Sequence, residues 1–198
     1  TLQKNSSNIE QISSLHIVGG GPNAFGEINL FSANSSSTNS NGNNHNTKLF
    51  INNNLVFDSS YFDYQTLHVK YSFSSNLLSN TTDFKHEISE IGQGTDYQNI
   101  ASISLSYPHS TDFSSYQKLQ FGLPFSFNQK QRLSISSTLN ALGSPILYIL
   151  DDVNRLVPLI SNNSTLEAVI PIIQSDSIIC YLSTDSNVNY INKMENHF

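Results

Sequence analysis

The sequence has few charged residues, a single cysteine, a single methionine and no tryptophan. Charged side chains make up 12% of its 198 residues, about half of the share that is typical of soluble domains. The nine lysines and arginines are scattered along the chain, so they do not form the continuous basic stripe that binding to nucleic-acid phosphates requires. We therefore expect no nucleic-acid partner.

The chain also lacks long apolar runs and cysteine pairs. Its longest apolar run covers residues 168–173, whereas a membrane-spanning helix needs roughly 18 such residues, so the sequence predicts no transmembrane segment. Cys180 is the only cysteine and lies between apolar neighbours, so we interpret it as a small core residue rather than a disulfide partner. The sequence begins with Thr1, which fits a removed signal peptide or a trimmed chain.

Neutral polar residues take the place of charge, with 33 serines and 25 asparagines. The hydrophobic share is nevertheless 37%, including 12 phenylalanines and nine tyrosines, which is enough to form a core and excludes charge-driven disorder. Amide and hydroxyl side chains keep their hydrogen bonds in acid, where ion pairs are lost. The composition is therefore typical of an extracellular setting, including an acidic one. AT-rich coding is an alternative source of the same bias.

Apolar and polar residues alternate with a period of two through most of the chain, as they do in residues 67–73. This pattern predicts an all-β protein, a β-sandwich of the jelly-roll or immunoglobulin-like kind, with short strands joined by Asn-, Ser- and Gly-rich loops. We prefer one sandwich over residues 19–198 after an N-terminal segment of residues 1–18. The alternative is two small sandwiches that meet near residues 108–116. The candidate strands are residues 14–18, 27–32, 48–51, 55–57, 65–74, 84–90, 102–107, 118–127, 132–138, 146–150, 157–161, 165–173, 177–182 and 188–191.

Three connections have a composition that predicts their conformation. Asn52, Asn53 and Asn54 lie between two apolar runs, and asparagine tolerates the left-handed conformations of a tight turn, so we predict a hairpin there. Residues 151–155 predict a second hairpin. Residues 35–46 are predicted to form a polar, low-complexity loop.

The N-terminal segment allows two interpretations. Residues 1–12 are polar with little pattern and lead into the candidate strand of residues 14–18. They either feed the first strand of their own sheet or leave the domain and pair with the open sheet edge of a neighbouring copy. In the second case four apolar residues fill pockets of the neighbour. These candidate donor-strand residues are Ile9, Ile12, Leu15 and Ile17.

No pattern indicates catalysis, a metal site or a cofactor, and we predict that the protein is not an enzyme. The chain has no Gly-x-Ser-x-Gly elbow. The glycine-rich residues 19–26 lack the Lys-Ser/Thr ending of a phosphate-binding loop, so we interpret them as a wide turn or hinge. Asp151, Asp152 and Asn154 are interpreted as turn residues rather than calcium ligands. The histidines lack the close sequence pairing of zinc sites and are His16, His45, His68, His86, His109 and His197.

Two features concern carbohydrate. Residues 111–121 are similar to the strand entry of many jelly-roll carbohydrate-binding modules, although the simpler interpretation places Tyr116 and Phe121 in the core. Asn-x-Ser/Thr sequons in predicted loops or near the terminus are candidate N-glycosylation sites, although composition alone accounts for their number. They are Asn5, Asn34, Asn80, Asn162 and Asn163.

The start at Thr1, the all-β pattern, the abundance of Ser, Asn and Tyr, and the sequons together give a layout that resembles the extracellular threads and donor-strand pili of thermoacidophilic archaea. The donated strand maps onto residues 9–18. The resemblance implies a secreted, glycosylated, non-enzymatic subunit of a cell-surface filament, whose partners are copies of itself joined by N-terminal strand donation. The alternative, from a different class, is an extracellular glycan-binding jelly-roll module.

Overall fold

The computed structural model describes residues 2–3, 6–32, 42–89, 96–124, 130–139, 143–150, 154–173 and 177–187. Within these ranges the chain forms antiparallel β-strands and short 3-10 turns, so the predicted all-β sandwich class is confirmed. None of the described segments forms a helix long and apolar enough to cross a membrane.

The chain divides into two compact units, residues 1–110 and residues 111–198, which we call unit 1 and unit 2. Each unit has its own cluster of buried apolar side chains, and each described sheet draws all of its strands from one unit. The division falls inside residues 108–116, where the two-sandwich alternative placed it. Residues 19–198 therefore contain two cores instead of the one that we preferred from the sequence.

Unit 1 has the strand order of a jelly roll. Its strands form two four-stranded sheets, ordered β1-β8-β3-β6 and β2-β7-β4-β5. The first strand pairs with the last and the second with the last but one, which is the nesting expected of two Greek keys. The strands are β1 (Leu2–Gln3), β2 (Ser7–Ser13), β3 (Ala24–Ser32), β4 (His45–Ile51), β5 (Asn54–Tyr61), β6 (Thr66–Phe73), β7 (Thr81–Ile88) and β8 (Tyr97–Ser106).

The predicted hairpin between β4 and β5 is confirmed. Asn52 and Asn53 form its two-residue turn, with φ of 44° and 66°, as a tight hairpin turn with two left-handed residues requires. The predicted loop of residues 35–46 is wrong at its end, because β4 already begins at His45 and residues 44–46 are buried. Residues 35–41 lie outside the described ranges.

A glycine in β3 makes room for a core aromatic ring. Gly26 lies directly opposite Tyr71 of β6, and a Cβ placed on Gly26 would come within 2.2 Å of the Tyr71 ring. The tyrosine is 8% exposed, and its ring stacks on that of Phe73 with centroids 6.0 Å apart. The glycine stretch is therefore a turn only as far as residue 23, and its end belongs to the sheet.

The described residues of unit 2 form seven strands, whose first and last pair with each other and whose second pairs with the last but one, as in unit 1. They form sheets ordered β12-β11-β15-β9 and β10-β14-β13, in which β9 pairs with β15 and β10 with β14. Alternate residues such as Leu147, Ile149 and Cys180 point into its core. The strands are β9 (Leu119–Pro124), β10 (Gln131–Ser136), β11 (Pro145–Ile149), β12 (Arg155–Val157), β13 (Ile160–Asn162), β14 (Thr165–Ile170) and β15 (Ser177–Thr184).

One predicted strand of unit 2 is divided. The sequence predicts a single strand over residues 157–161, but β12 ends at Val157 and β13 begins at Ile160, in the other sheet. Pro158 stands at the break, and proline has no N–H to donate to a continuing ladder. The antiparallel pairing of β11 with β12 confirms that these strands form a hairpin, but Arg155 already belongs to β12, and residues 151–153 of the predicted turn lie outside the described ranges. The candidate strand at residues 188–191 lies outside the described ranges.

Candidate functional site

The N-terminal arm, which we define as residues 2–18, supplies the first two strands of unit 1. β1 pairs with the start of β8, and β2 pairs with β7 along all seven of its residues. Among the described strands, both lie at the edges of their sheets. Six of the seven β2 side chains are exposed, and the seventh, Ile12, packs partly against the core. Main-chain hydrogen bonds to β7 therefore hold β2 far more than side-chain burial does.

The predicted strand at residues 14–18 is wrong. The strand of this region is β2, which ends at Ser13. The chain then turns at Leu15 and His16, and His16 has a φ of 56°. Ile17 makes an isolated bridge with His109. The sequence SNIEQIS has only two apolar residues, so pairing with β7, and not its own pattern, makes β2 extended.

The predicted donor-strand residues do not behave alike. Ile9 is 55% exposed, so within this chain it fills no pocket. Ile12, Leu15 and Ile17 are partly buried. The apolar contacts of the arm therefore come from its second half.

Four hydrogen bonds join the end of the arm to the rest of unit 1. The amide of Ser14 donates to Asn80 O at 3.0 Å, and Val18 donates to Pro108 O at 2.9 Å. Ser110 donates to His16 O, and the Tyr107 hydroxyl donates to Leu15 O. The triple glycine at residues 19–21 follows directly and has φ of 72° at Gly20. These glycines are the first position after the arm where the chain can pivot easily.

A buried polar cluster lies beneath the arm, between the two sheets. Its members are at most 1% exposed and are His45, Thr47, His86, Asp96 and Gln98. His45 Nδ1 donates to Asp96 Oδ1 at 2.6 Å, and Gln98 Nε2 donates to Asp96 Oδ2 at 3.2 Å. Gln98 Oε1 accepts from the Thr47 hydroxyl and from His86 Nε2, the latter at 3.2 Å. The network links β4, β7 and the start of β8 through side chains.

Two imidazole nitrogens of the cluster are left without hydrogen bonds. His45 Nε2 and His86 Nδ1 have no partner among the described residues. Burial lowers the pKa of His86, because a charged imidazolium loses its hydration there. Tyr61 stacks on His45 with ring centroids 5.0 Å apart, and burial raises the pKa of its hydroxyl.

The fold brings together histidines that are distant in sequence. His45 and His86 share the polar cluster, and the rings of His16 and His109 are 5.6 Å apart. Within the described ranges, no three His, Cys, Asp or Glu side chains are grouped as a metal site would require. His197 lies outside these ranges.

The other predicted sites fall in ordinary positions. Burial raises the pKa of the Cys180 thiol to about 11, which fits an inert core residue. Phe121 packs edge-on against Phe113, with centroids 4.9 Å apart, and Tyr116 contacts the same core. The core interpretation of both aromatic residues is therefore confirmed.

The sequons differ in setting. Asn80 and Asn163 are exposed at turns, whereas Asn162 is exposed at the end of β13 and not in a loop. Asn5 and Asn34 lie outside the described ranges.

The outer face of the β12-β11-β15-β9 sheet carries a row of neutral side chains. In register across the four strands stand Leu156, Tyr148, Tyr181 and Gln120. Leu156 is 63% exposed and the two tyrosines are half-buried. We call this row the tyrosine row; no member of it is charged.

Fold and site together define an all-β protein of two sandwich units with an N-terminal arm on a sheet edge. No family model and no curated protein matches the chain. Among solved structures, dimeric latent PorU from Porphyromonas gingivalis is similar over 91% of this chain, with a TM-score of 0.63 and 14% identity. The match covers 18% of the PorU chain. At that identity the likeness shows the fold alone.

Proposed function

We propose that this protein is a non-enzymatic structural subunit of a secreted, cell-surface filament, which grows head to tail when each copy donates its N-terminal arm to the next. The observation that carries the proposal is the position of β2. It lies on a sheet edge, holds to β7 by main-chain pairing, and buries almost none of its side chains. A second copy can supply the same pairing, because main-chain hydrogen bonds do not depend on which chain provides the strand.

Exchange of the arm is close to neutral in free energy. Each main-chain hydrogen bond contributes about 0.5–1.5 kcal/mol, and the same bonds re-form with the neighbour's β7. The partly buried Ile12, Leu15 and Ile17 enter the same contacts in the new partner. The pivot is the triple glycine at residues 19–21, where the arm separates from the rest of unit 1. The local concentration of the protein then decides between the two states, and a high concentration favours the polymer over the closed chain.

Composition and burial support the class and the location. The titratable side chains that the fold brings together in the polar cluster are buried, where a substrate could not reach them. Amide and hydroxyl side chains outnumber charged ones in the sequence, and the single thiol is buried. Exposed Asn80, Asn162 and Asn163 are proposed to carry N-linked glycans.

A disulfide trap tests strand donation. Ile9 and Lys85 stand directly opposite each other in β2 and β7, so Ile9→Cys with Lys85→Cys should form a disulfide wherever these strands pair. In an exchanged filament the bond joins two chains, and a non-reducing gel shows a ladder. The matched control is Lys48→Cys with Asp58→Cys in the β4-β5 hairpin, which should give cross-linked monomers only. Monomers alone from the first pair at both neutral and mildly acidic pH, or filaments from a chain without residues 1–18, would refute donation.

A second candidate function, glycan binding, is favoured by the tyrosine row. Tyr148 and Tyr181 are cross-strand neighbours with Leu156 and Gln120 on either side, and aromatic rings beside an amide suit a neutral sugar chain. Titration of oligosaccharides into the protein should then give binding that Tyr148→Ala and Tyr181→Ala each weaken about tenfold or more. Tyr64→Ala, at an exposed tyrosine of unit 1, is the control. Equal binding of oligosaccharides by all three variants would exclude the tyrosine row as the glycan-binding site.

A further inference from the structure

The N-terminal arm pairs with β7 and with the start of β8, and these two strands also carry side chains of the polar cluster. β1 pairs Leu2 with Gln98, and β2 pairs Asn8 with His86. The amide of Ile88 donates to Ser6 O at 3.0 Å. The backbone that holds the arm is therefore the backbone that carries two cluster side chains. Anything that disturbs the cluster loosens the edge on which the arm lies.

His86 is the group of the cluster that acid disturbs most directly. Its Nε2 donates to Gln98 Oε1, so the free Nδ1 is the nitrogen that takes up a proton. A proton there would create a buried N–H with no acceptor, next to a charge that has lost its water. When the end of β7 opens, the imidazole reaches solvent and ionises freely.

The charged and titratable groups around His86 come from each neighbouring element. Asp96 directly precedes β8, β4 contributes His45, and β5 contributes Tyr61. On the β2 side Glu10 is exposed opposite Phe84. On β7 itself, Lys85 and Glu87 point to the other face and pair with each other at 2.6 Å.

These groups do not remove the acid sensitivity of His86. Burial is the largest effect and lowers the pKa of His86, whereas the hydrogen bond to Gln98 and the negative charge of Asp96 raise it. Asp96 is also already engaged by His45 and Gln98.

We propose that the polar cluster is an acid-sensitive latch, in which protonation of His86 opens the edge formed by β7 and the start of β8 and releases the N-terminal arm for donation. This latch rests on the proposed donation of the N-terminal arm to a neighbouring copy, and it would regulate that donation. At neutral pH the latch is closed and the arm stays on its own chain. As the pH falls below the ordinary histidine pKa of about 6.5, each pH unit favours the open arm by up to tenfold.

Hydrogen exchange of the monomer tests the latch without any polymer. Protection factors of the residue 7–13 amides, corrected for intrinsic exchange, should fall by up to about 16-fold between pH 6.5 and pH 5.0, because half of the opened molecules are already protonated at pH 6.5. His86→Gln, which cannot titrate, should abolish this fall. His68→Gln replaces a half-exposed histidine paired with Glu27 and should leave it unchanged. Unit 2 has no histidine in its described residues, so its amides serve as an internal control.

The outcomes separate the latch from the filament. Equal arm protection of the wild-type chain at both pH values overturns the latch, even if His86→Gln does not fold. A fall that persists in His86→Gln overturns it as well. If the arm opens in acid but the Ile9→Cys, Lys85→Cys pair yields monomers only, the latch stands and strand donation fails. A ladder that forms equally at both pH values leaves donation standing and rejects the latch.

Discussion

Replacing Gly26 with alanine should destabilise unit 1 and leave unit 2 unaffected. The added Cβ would lie 2.2 Å from Cζ and 2.3 Å from the hydroxyl oxygen of Tyr71. Tyr71 is 8% exposed and held by Phe73 and Phe57, with ring centroids 6.0 Å and 6.4 Å away. The ring has to leave its position, and overpacking of this kind costs about 1–3 kcal/mol.

The expected change is measurable by calorimetry. For a unit of this size each kcal/mol corresponds to about 4–8 °C in Tm, so the transition of unit 1 should fall by roughly 4–24 °C. The matched control is Gly122→Ala in β9 of unit 2. A Cβ there meets only Ile179 Cδ1, at 3.9 Å, so the variant should be neutral or more stable by up to about 1 kcal/mol, through a less flexible unfolded chain.

A double-mutant cycle identifies the clash. Gly26→Ala should cost much less in a Tyr71→Leu background, because the shorter side chain leaves room for the methyl group. An unchanged Tm for Gly26→Ala, or the same loss in both backgrounds, would refute the packing of Tyr71 over Gly26. A single transition that falls as a whole would instead show that the two units unfold together.

The other predictions concern the turn, the cluster and the thiol. Asn53→Val forces a β-branched residue to a φ of 66° and should lower the free energy of unfolding by about 1–3 kcal/mol. Asn53→Gly should change this free energy little. Equal denaturation midpoints for the two variants would contradict the prediction. Folding lowers the pKa of His86 below its unfolded value, so the unfolded chain binds more protons in acid. Stability is then complete above about pH 6.5 and falls below it by up to about 1.4 kcal/mol per pH unit, and urea titrations of His86→Gln should lack this loss. Cys180 is fully buried, so a thiol reagent should label it only at the rate at which unit 2 opens; immediate labelling of the native protein would contradict its burial.

The buried histidines qualify what the composition indicates about acid. A surface of amides and hydroxyls tolerates low pH, and the sequence has only 15 acidic residues. His45 and His86 are nevertheless buried, each with one unpartnered ring nitrogen. Composition averages over the whole chain, whereas the acid sensitivity that we propose for one edge of unit 1 depends on the single buried imidazole of His86.

Where a residue acts through its own conformational preference, the sequence was a reliable guide. The hairpin turn at Asn52 and Asn53 follows from the tolerance of asparagine for positive φ, and the alternation in residues 67–73 follows from a strand with one buried face. β2 was missed because its residues are polar and it is extended only through pairing with β7. The break at Pro158 was missed because the flanking residues are apolar enough to continue a strand.

Local chemistry by itself determined that this chain is an all-β protein with a neutral polar surface, an apolar core and a lone core thiol. Those properties depend on the alternation of side chains and on their solvation, which a sequence records directly. The tertiary structure alone decided that there are two cores, that the N-terminal arm closes a jelly roll, and that His45, His86, Asp96 and Gln98 meet beneath it. These contacts join strands far apart in the chain, and nothing in the local sequence of one strand specifies which partner will lie beside it.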